Sequence, residues 1–155
     1  MKISLGADER STVVEAVLKH LKETGREVTY YGPRGKGSVP WPEVARCVAE
    51  DVASGRSEEG ILFCWTGTGV SIAANKVRGI RAALCADAET ARGARLWNNA
   101  NVLCLSIRTT TEALASEILN TWFAAAYQPN PTDDACLAEI DALDGIRTGG
   151  SADPN

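Results

Sequence analysis

The chain reads as an α/β protein: a three-layer, Rossmann-like, doubly wound sheet of five parallel strands in the order 2-1-3-4-5, with helices on both faces. Two observations predict this. Short apolar strand-like runs alternate with segments of helical periodicity along nearly the whole chain, the pattern of a parallel sheet crossed by helices. Ile61-Leu62-Phe63-Cys64 is a continuous apolar run, as expected of a strand covered on both faces. With 155 residues the chain suits one domain. Residues 1–145 are expected to form it, and 146–155 to be a flexible tail.

Ile3-Ser4-Leu5 is the expected first strand. Val13, Val14, Val17, Leu18 and Leu21 then repeat at helical spacing, with Thr12 and Glu15 as a capping box and Gly25 as the stop. Val28–Tyr31 is the second strand, and Gly32–Pro40 a Gly/Pro-rich loop. A helix begins near Pro42 and buries Val44, Ala45, Val48, Ala49 and Val52. The third strand ends at Cys64. A tight loop, Thr66-Gly67-Thr68-Gly69, leads into a short helix over Ser71–Lys76. Arg81–Cys85 is the fourth strand. Asp87 caps a helix that runs to Trp97. Val102–Leu105 is the fifth strand, Thr110–Ala126 a long helix, and Thr132–Leu143 the last helix.

Composition excludes several classes. Hydrophobic residues make up 45% and charged residues 23%, an ordinary globular balance. The net charge of −4 and the lack of any Lys/Arg run argue against nucleic-acid or anionic-membrane partners. Cys47, Cys64, Cys85, Cys104 and Cys136 are odd in number, widely spaced and without a C-x-x-C pair. A disulfide framework and a zinc site are therefore not expected, and a reducing cytoplasm fits. The N-terminus lacks a long apolar segment, so neither a signal peptide nor a membrane span is expected. His20, the single histidine, sits in a helical pattern as a partly exposed residue, so chemistry must run mainly without histidine.

In doubly wound sheets ligands bind beyond the carboxyl ends of the strands, where the winding switches. For this order the switch lies between strands 1 and 3. It brings Asp8 and Glu9 together with Cys64 and the Thr66–Gly69 loop. Thiols at helix N-termini ionise readily, which makes Cys64 a candidate base. Gly67 and Gly69 allow backbone amides to face an anion or an enediolate oxygen. Of Asp8 and Glu9, one is suited to hold a hydroxyl and the other to trade protons. Trp41, Trp65 and Trp97 fall in loops or at helix ends expected near this crevice, and flat rings suit sugars. Asn75 and Asn98-Asn99-Ala100-Asn101 offer amides for hydroxyls, though such residues are also common in turns. Trp122 reads as core.

Gly60-Ile61-Leu62-Phe63-Cys64-x-Thr66-Gly67, Ser71-Ile72-Ala73-Ala74-Asn75-Lys76 and Gly79-Ile80-Arg81-Ala82 resemble the signature of the ribose-5-phosphate isomerase B and galactose-6-phosphate isomerase family. Gly6-Ala7-Asp8, Asn98–Leu103 and Arg108 resemble its flanking motifs, and the likeness runs from about Met1 to Leu143. The resemblance implies an aldose–ketose isomerase acting through a cis-enediolate on a sugar or sugar phosphate. It implies no metal and no organic cofactor, and a homodimer or dimer of dimers with sites at the subunit interface. Carried over, Cys64 is the base moving a proton between C1 and C2. Thr66, Gly67, Gly69 and Ser71 line the enediolate loop. Asp8 and Asn98 hold hydroxyls, and Arg108 helps bind the distal, normally phosphorylated end from across the interface.

The chain also departs from the family. Glu9 stands where the family has histidine after the first-strand Asp, and Trp97 where it has the ring-opening histidine. Trp65 replaces the glycine after the base and narrows the pocket. Pro129–Ala135 holds no arginine in the segment that usually clamps the phosphate. These departures point to an isomerase with a shifted substrate, open-chain or opened by Glu9. The competing readings are a non-catalytic or half-site subunit of a hetero-oligomer, and a sugar-binding module without turnover.

Overall fold

The computed structural model describes residues 1–148, with side chains through Gly145. The elements in order are β1 (Lys2–Ala7), α1 (Thr12–Glu23), β2 (Glu27–Tyr31), α2 (Trp41–Ala53), β3 (Glu59–Cys64) and α3 (Thr68–Ala74). They continue as β4 (Ala82–Leu84), α4 (Ala88–Asn98), β5 (Val102–Ser106), α5 (Glu112–Ala124) and α6 (Pro131–Thr148).

All strand pairs are parallel, and the sheet order is β2-β1-β3-β5-β4. The last two strands are thus exchanged relative to the order expected from sequence. The reason lies in what each can bury. Every residue of β5, Val-Leu-Cys-Leu-Ser, is buried, as an interior strand requires. The three-residue β4, Ala-Ala-Leu, is partly exposed and suits an edge. The exchange leaves β1 beside β3, so the switch crevice keeps its place.

Two apolar layers sandwich the sheet. On one face α1, α4 and α5 cover Ile3, Leu5, Ala7, Ile61, Phe63, Leu103 and Leu105. On the other, α2 and α3 cover Leu62, Cys64, Val102 and Cys104. Ser11, not Thr12, caps α1: its hydroxyl accepts from the Val14 amide at 3.4 Å. An extended Ser11 backbone lets its oxygen turn back onto the first turn, whereas Thr12 is already helical. Asp87 caps α4 as expected, accepting from Thr90 N at 2.7 Å. The last helix runs beyond Gly145, into the segment expected as tail, to Thr148; the rest of the expected tail lies outside the described residues.

Two buried polar groups anchor the start of β3. Asp51 of α2 accepts from Ser4 Oγ (2.7 Å), Tyr31 OH (2.8 Å) and Arg56 Nε (2.7 Å). Glu59, the first residue of β3, accepts from Trp122 Nε1 at 2.5 Å and pairs with Arg95 at 2.7 Å. Hydrogen bonds to charged groups contribute about 1.5–3 kcal/mol each when buried, so both carboxylates are compensated rather than orphaned.

Candidate active site

The crevice is built by strand register. Ala7 pairs with Phe63, and both point into the α1 face. Alternation sends the next residue of β3, Cys64, toward the opposite face. The Asp8 amide donates to Phe63 O at 3.3 Å. Asp8 thus lies one step beyond the end of β1, beside β3, whose last residue is Cys64. Cys64 is 5% exposed and packs with the α2/α3 layer, while its chain neighbours Trp65 and Thr66 are open to solvent.

The loop after Cys64 folds back on itself. Gly67 N donates to Cys64 O at 3.2 Å, and Gly67 sits at φ +75, the left-handed region. That turn starts α3, whose first amides have no intrahelical acceptor. The hydroxyls of Thr66 and Thr68 share a 2.6 Å hydrogen bond. Trp41, the first residue of α2, lies against Gly69, where a Cβ would stand 3.1 Å from its ring. Ser71 lies inside α3, and its amide donates to Gly67 O at 3.3 Å.

The loop after β5 closes another side. Ile107 N donates to Cys64 O, Arg108 N to Trp65 O and Ser106 Oγ to Trp65 O (3.0, 3.0 and 2.9 Å). The Arg108 main chain is thus tied to the same protomer's crevice. Sequence reasoning passed over Ser106; a polar residue closing an apolar strand beside the loop was the available signal. It also missed the strap over β1. Val39 N donates to Asp8 O at 2.8 Å, and Glu9 forms an isolated antiparallel bridge with Ser38. A hollow of about 470 Å³ lies there, lined by Glu9, Arg10, Gly35, Lys36 and Gly37.

Asp8 is the anomalous group. Its Oδ1 is buried without a hydrogen-bond partner. Burial, and then the charge of Glu9, raises its pKa above the ordinary Asp value.

Not all expected residues meet here. Trp97 and Asn98 end α4 and lead into the start of β5, whereas Cys64 pairs with Ser106 at its far end. The Trp97 ring folds back over Gly93 and, with Leu84, which abuts Gly67, lines a hollow of about 460 Å³. Trp97 and Asn98 also line a hollow of about 530 Å³ between α4, β4 and α6, with Arg81, Leu137 and Ile140. Asn75 and Asn101 are staples: Asn75 bonds both the amide and carbonyl of Ala82, and Asn101 accepts from Arg81 N. Among the described residues no cluster of three or more His, Cys, Asp or Glu side chains is placed to hold a metal ion. No helix there is long and apolar enough to cross a membrane.

Residues 3–139 match the family model described as Ribose/Galactose Isomerase. The chain belongs to that family. A D-erythrulose-4-phosphate isomerase of Pectobacterium atrosepticum is 38% identical over 131 residues, covering 83% of this chain and 86% of that protein. Ribose-5-phosphate isomerase B of Escherichia coli is 38% identical over 128 residues, 82% of this chain and 86% of its own. The structure of Clostridium thermocellum ribose-5-phosphate isomerase B superposes with a TM-score of 0.90 at 38% identity, covering 95% of this chain and 99% of that one. The family assignment and the five-stranded parallel sheet agree.

Proposed function

We propose that this chain interconverts a short aldose phosphate and the corresponding ketose phosphate through a cis-enediolate, with Cys64 as the base. The observation that carries the reading is the placement of Cys64 at the end of the strand beside Asp8 and beneath the amide-bearing turn at Gly67. A thiolate there takes the proton from C2 of the aldose. The electron pair moves into the C1–C2 bond, and the charge that develops on O1 faces amides fixed before reaction. Return of the proton to C1 gives the ketose.

The substrate we favour has four carbons. An aldose phosphorylated on O4 lacks the hydroxyl that closes a five-membered ring, so it needs no ring opening. That fits Trp97 in the place of the family's ring-opening histidine, and Trp65 narrowing the crevice. Two relatives named as D-erythrulose-4-phosphate isomerases match this chain over most of its length. Lys36 and Arg108, both exposed, are cations available to the phosphate, whereas Arg10 is paired with Glu15. We assign Trp97 and Asn98 to the site of a second copy. Exposed Trp41, Trp65, Ile72, Leu84 and Trp97 supply apolar surface for that homodimer.

The test is turnover of four-, five- and six-carbon aldose phosphates by the purified chain and by Cys64→Ala. Erythrose 4-phosphate or erythrulose 4-phosphate should be preferred to ribose 5-phosphate. Loss of the base should lower kcat by about 10²–10⁴-fold. Undiminished turnover by Cys64→Ala would overturn the cysteine mechanism; a preference for ribose 5-phosphate would overturn the substrate.

A further inference from the structure

Moving a carbon-bound proton completes only half of an aldose–ketose interconversion. The enediolate formed from the aldose carries its charge on O1 and a hydroxyl proton on O2, and the ketose needs the reverse. Some group must give a proton to O1 and take one from O2. We propose that Asp8 is that group, relaying the hydroxyl proton between O1 and O2 while Cys64 handles the carbon-bound one. The inference rests on the isomerase reading above and adds a second acid–base residue to it.

Geometry singles out Asp8. Its backbone is clamped on both sides, by Phe63 O through its amide and by Val39 N through its carbonyl. Asp8 lies one residue beyond the end of β1, beside the strand that ends at Cys64. Its Oδ1 is buried and has no donor. A carboxylate built only to hold structure collects donors, as Asp51 and Glu59 do here. An oxygen left without one is better matched by a proton, or by a substrate hydroxyl that brings its own.

The titratable groups on the surrounding elements are Glu9 and Arg10 beyond β1, Tyr30 and Tyr31 on β2, Arg34 and Lys36 on the strap, Glu43 on α2, Cys64 on β3 and Arg108 after β5. Arg10 is engaged by Glu15. Of these groups Glu9 is the one whose charge bears on Asp8; it and burial favour the protonated carboxyl and outweigh the backbone amides of Glu9 and Asp8 that favour the ionised form. Glu9 is held in place by its bridge to Ser38. It acts through Asp8 and is a positioning residue, which gives a reason for a carboxylate where the family has histidine.

The step balances. Asp8 enters protonated and donates to O1. Its carboxylate then takes the proton from O2. The O2 electron pair forms the ketone as C1 recovers the proton from the Cys64 thiol. Asp8 leaves protonated and Cys64 ionised, so no other reactant is consumed.

Two measurements test this on the full chain in deuterated buffer, with erythrose 4-phosphate and ribose 5-phosphate as substrates. Asp8→Asn should still exchange the C2 hydrogen of recovered aldose with solvent, because Cys64 is untouched, while ketose formation falls about 10²-fold or more. The ratio of exchange to isomerisation therefore rises. Cys64→Ala should lose both together, so failure of the base assignment reads differently from failure of the relay. The second measurement is the pH profile of Glu9→Gln. Catalysis starts from protonated Asp8, so one limb of the profile reports Asp8. Glu9→Gln removes a charge that favours the protonated carboxyl, so it should shift that limb toward acid and lower turnover at neutral pH. Asp8→Asn losing exchange and isomerisation in equal proportion would overturn the relay. An unmoved profile in Glu9→Gln would overturn the role of Glu9.

Discussion

Gly67→Ala is the substitution that most directly probes how the crevice is held. Gly67 sits at φ +75, where an L side chain costs roughly 1–2 kcal/mol. The added Cβ would stand 2.6 Å from Leu84 Cδ1, 2.9 Å from Leu105 C and 3.0 Å from Leu105 O. Leu84 is 40% exposed and can swing away. Leu105 cannot yield, because the crowded atoms are main chain in a fully buried strand of the sheet. Overpacking of that kind costs about 1–3 kcal/mol. The sum is roughly 2–5 kcal/mol, or a fall in Tm of roughly 5–15 °C for a chain of this length. In the proposed mechanism the turn also carries the amides that face O1, and a misplacement near 1 Å can cost about 10²-fold in rate. Gly79→Ala is the control: Gly79 has φ +79 but open space around its Cβ position. It should show the backbone cost alone and keep full kcat. Thermal melts and turnover of the two variants decide the matter. If Gly67→Ala melts with Gly79→Ala and turns over normally, the crowding argument is wrong.

The buried network at Asp51 sets an acid dependence. Burial alone would push this carboxyl up, but hydrogen bonds from Ser4, Tyr31 and Arg56 outweigh it and hold it below the ordinary Asp range. A depressed folded-state pKa adds stability above the unfolded value, about 3.9, and loses it as pH falls through the folded one. Asp51→Asn should be less stable than the parent at pH 7, with the gap closing in acid; urea midpoints at pH 7 and pH 3 measure it, and an unchanged gap refutes it. The thiols should divide by burial. Burial, then Asp87, pushes Cys85 up to about 12, and full burial raises Cys104 as well. Timed alkylation followed by mass spectrometry should label exposed Cys136 at once and Cys85 and Cys104 only on unfolding; early labelling of Cys104 would contradict its packing.

Much of this architecture is legible in the residues because apolar patterning is local. Ile61–Cys64 and Val102–Leu105 declare themselves as covered strands, and Asp87 as a cap. The exchange of β4 and β5 is not local information. Both are short apolar runs, and only competition for the sheet interior separates Val-Leu-Cys-Leu-Ser from Ala-Ala-Leu. Ser11 and Thr12 are equally able caps on paper, and backbone geometry chooses between them. The crevice residues Asp8, Cys64 and Gly67 follow from topology, since they lie at or just beyond the ends of two adjacent strands. Trp97 and Asn98 do not, because the helix they end leads into the start of β5.

The fully satisfied carboxylates and the under-satisfied one occupy opposite ends of the same sheet. Asp51 and Glu59 gather their donors near the start of β3, and Oδ1 of Asp8 is left without one just beyond the end of β1. Foldedness and selectivity are thereby answerable to different residues. A lineage carrying this sheet is free to exchange what surrounds Asp8 and Cys64, drifting from one sugar to another, while the far end keeps the scaffold standing.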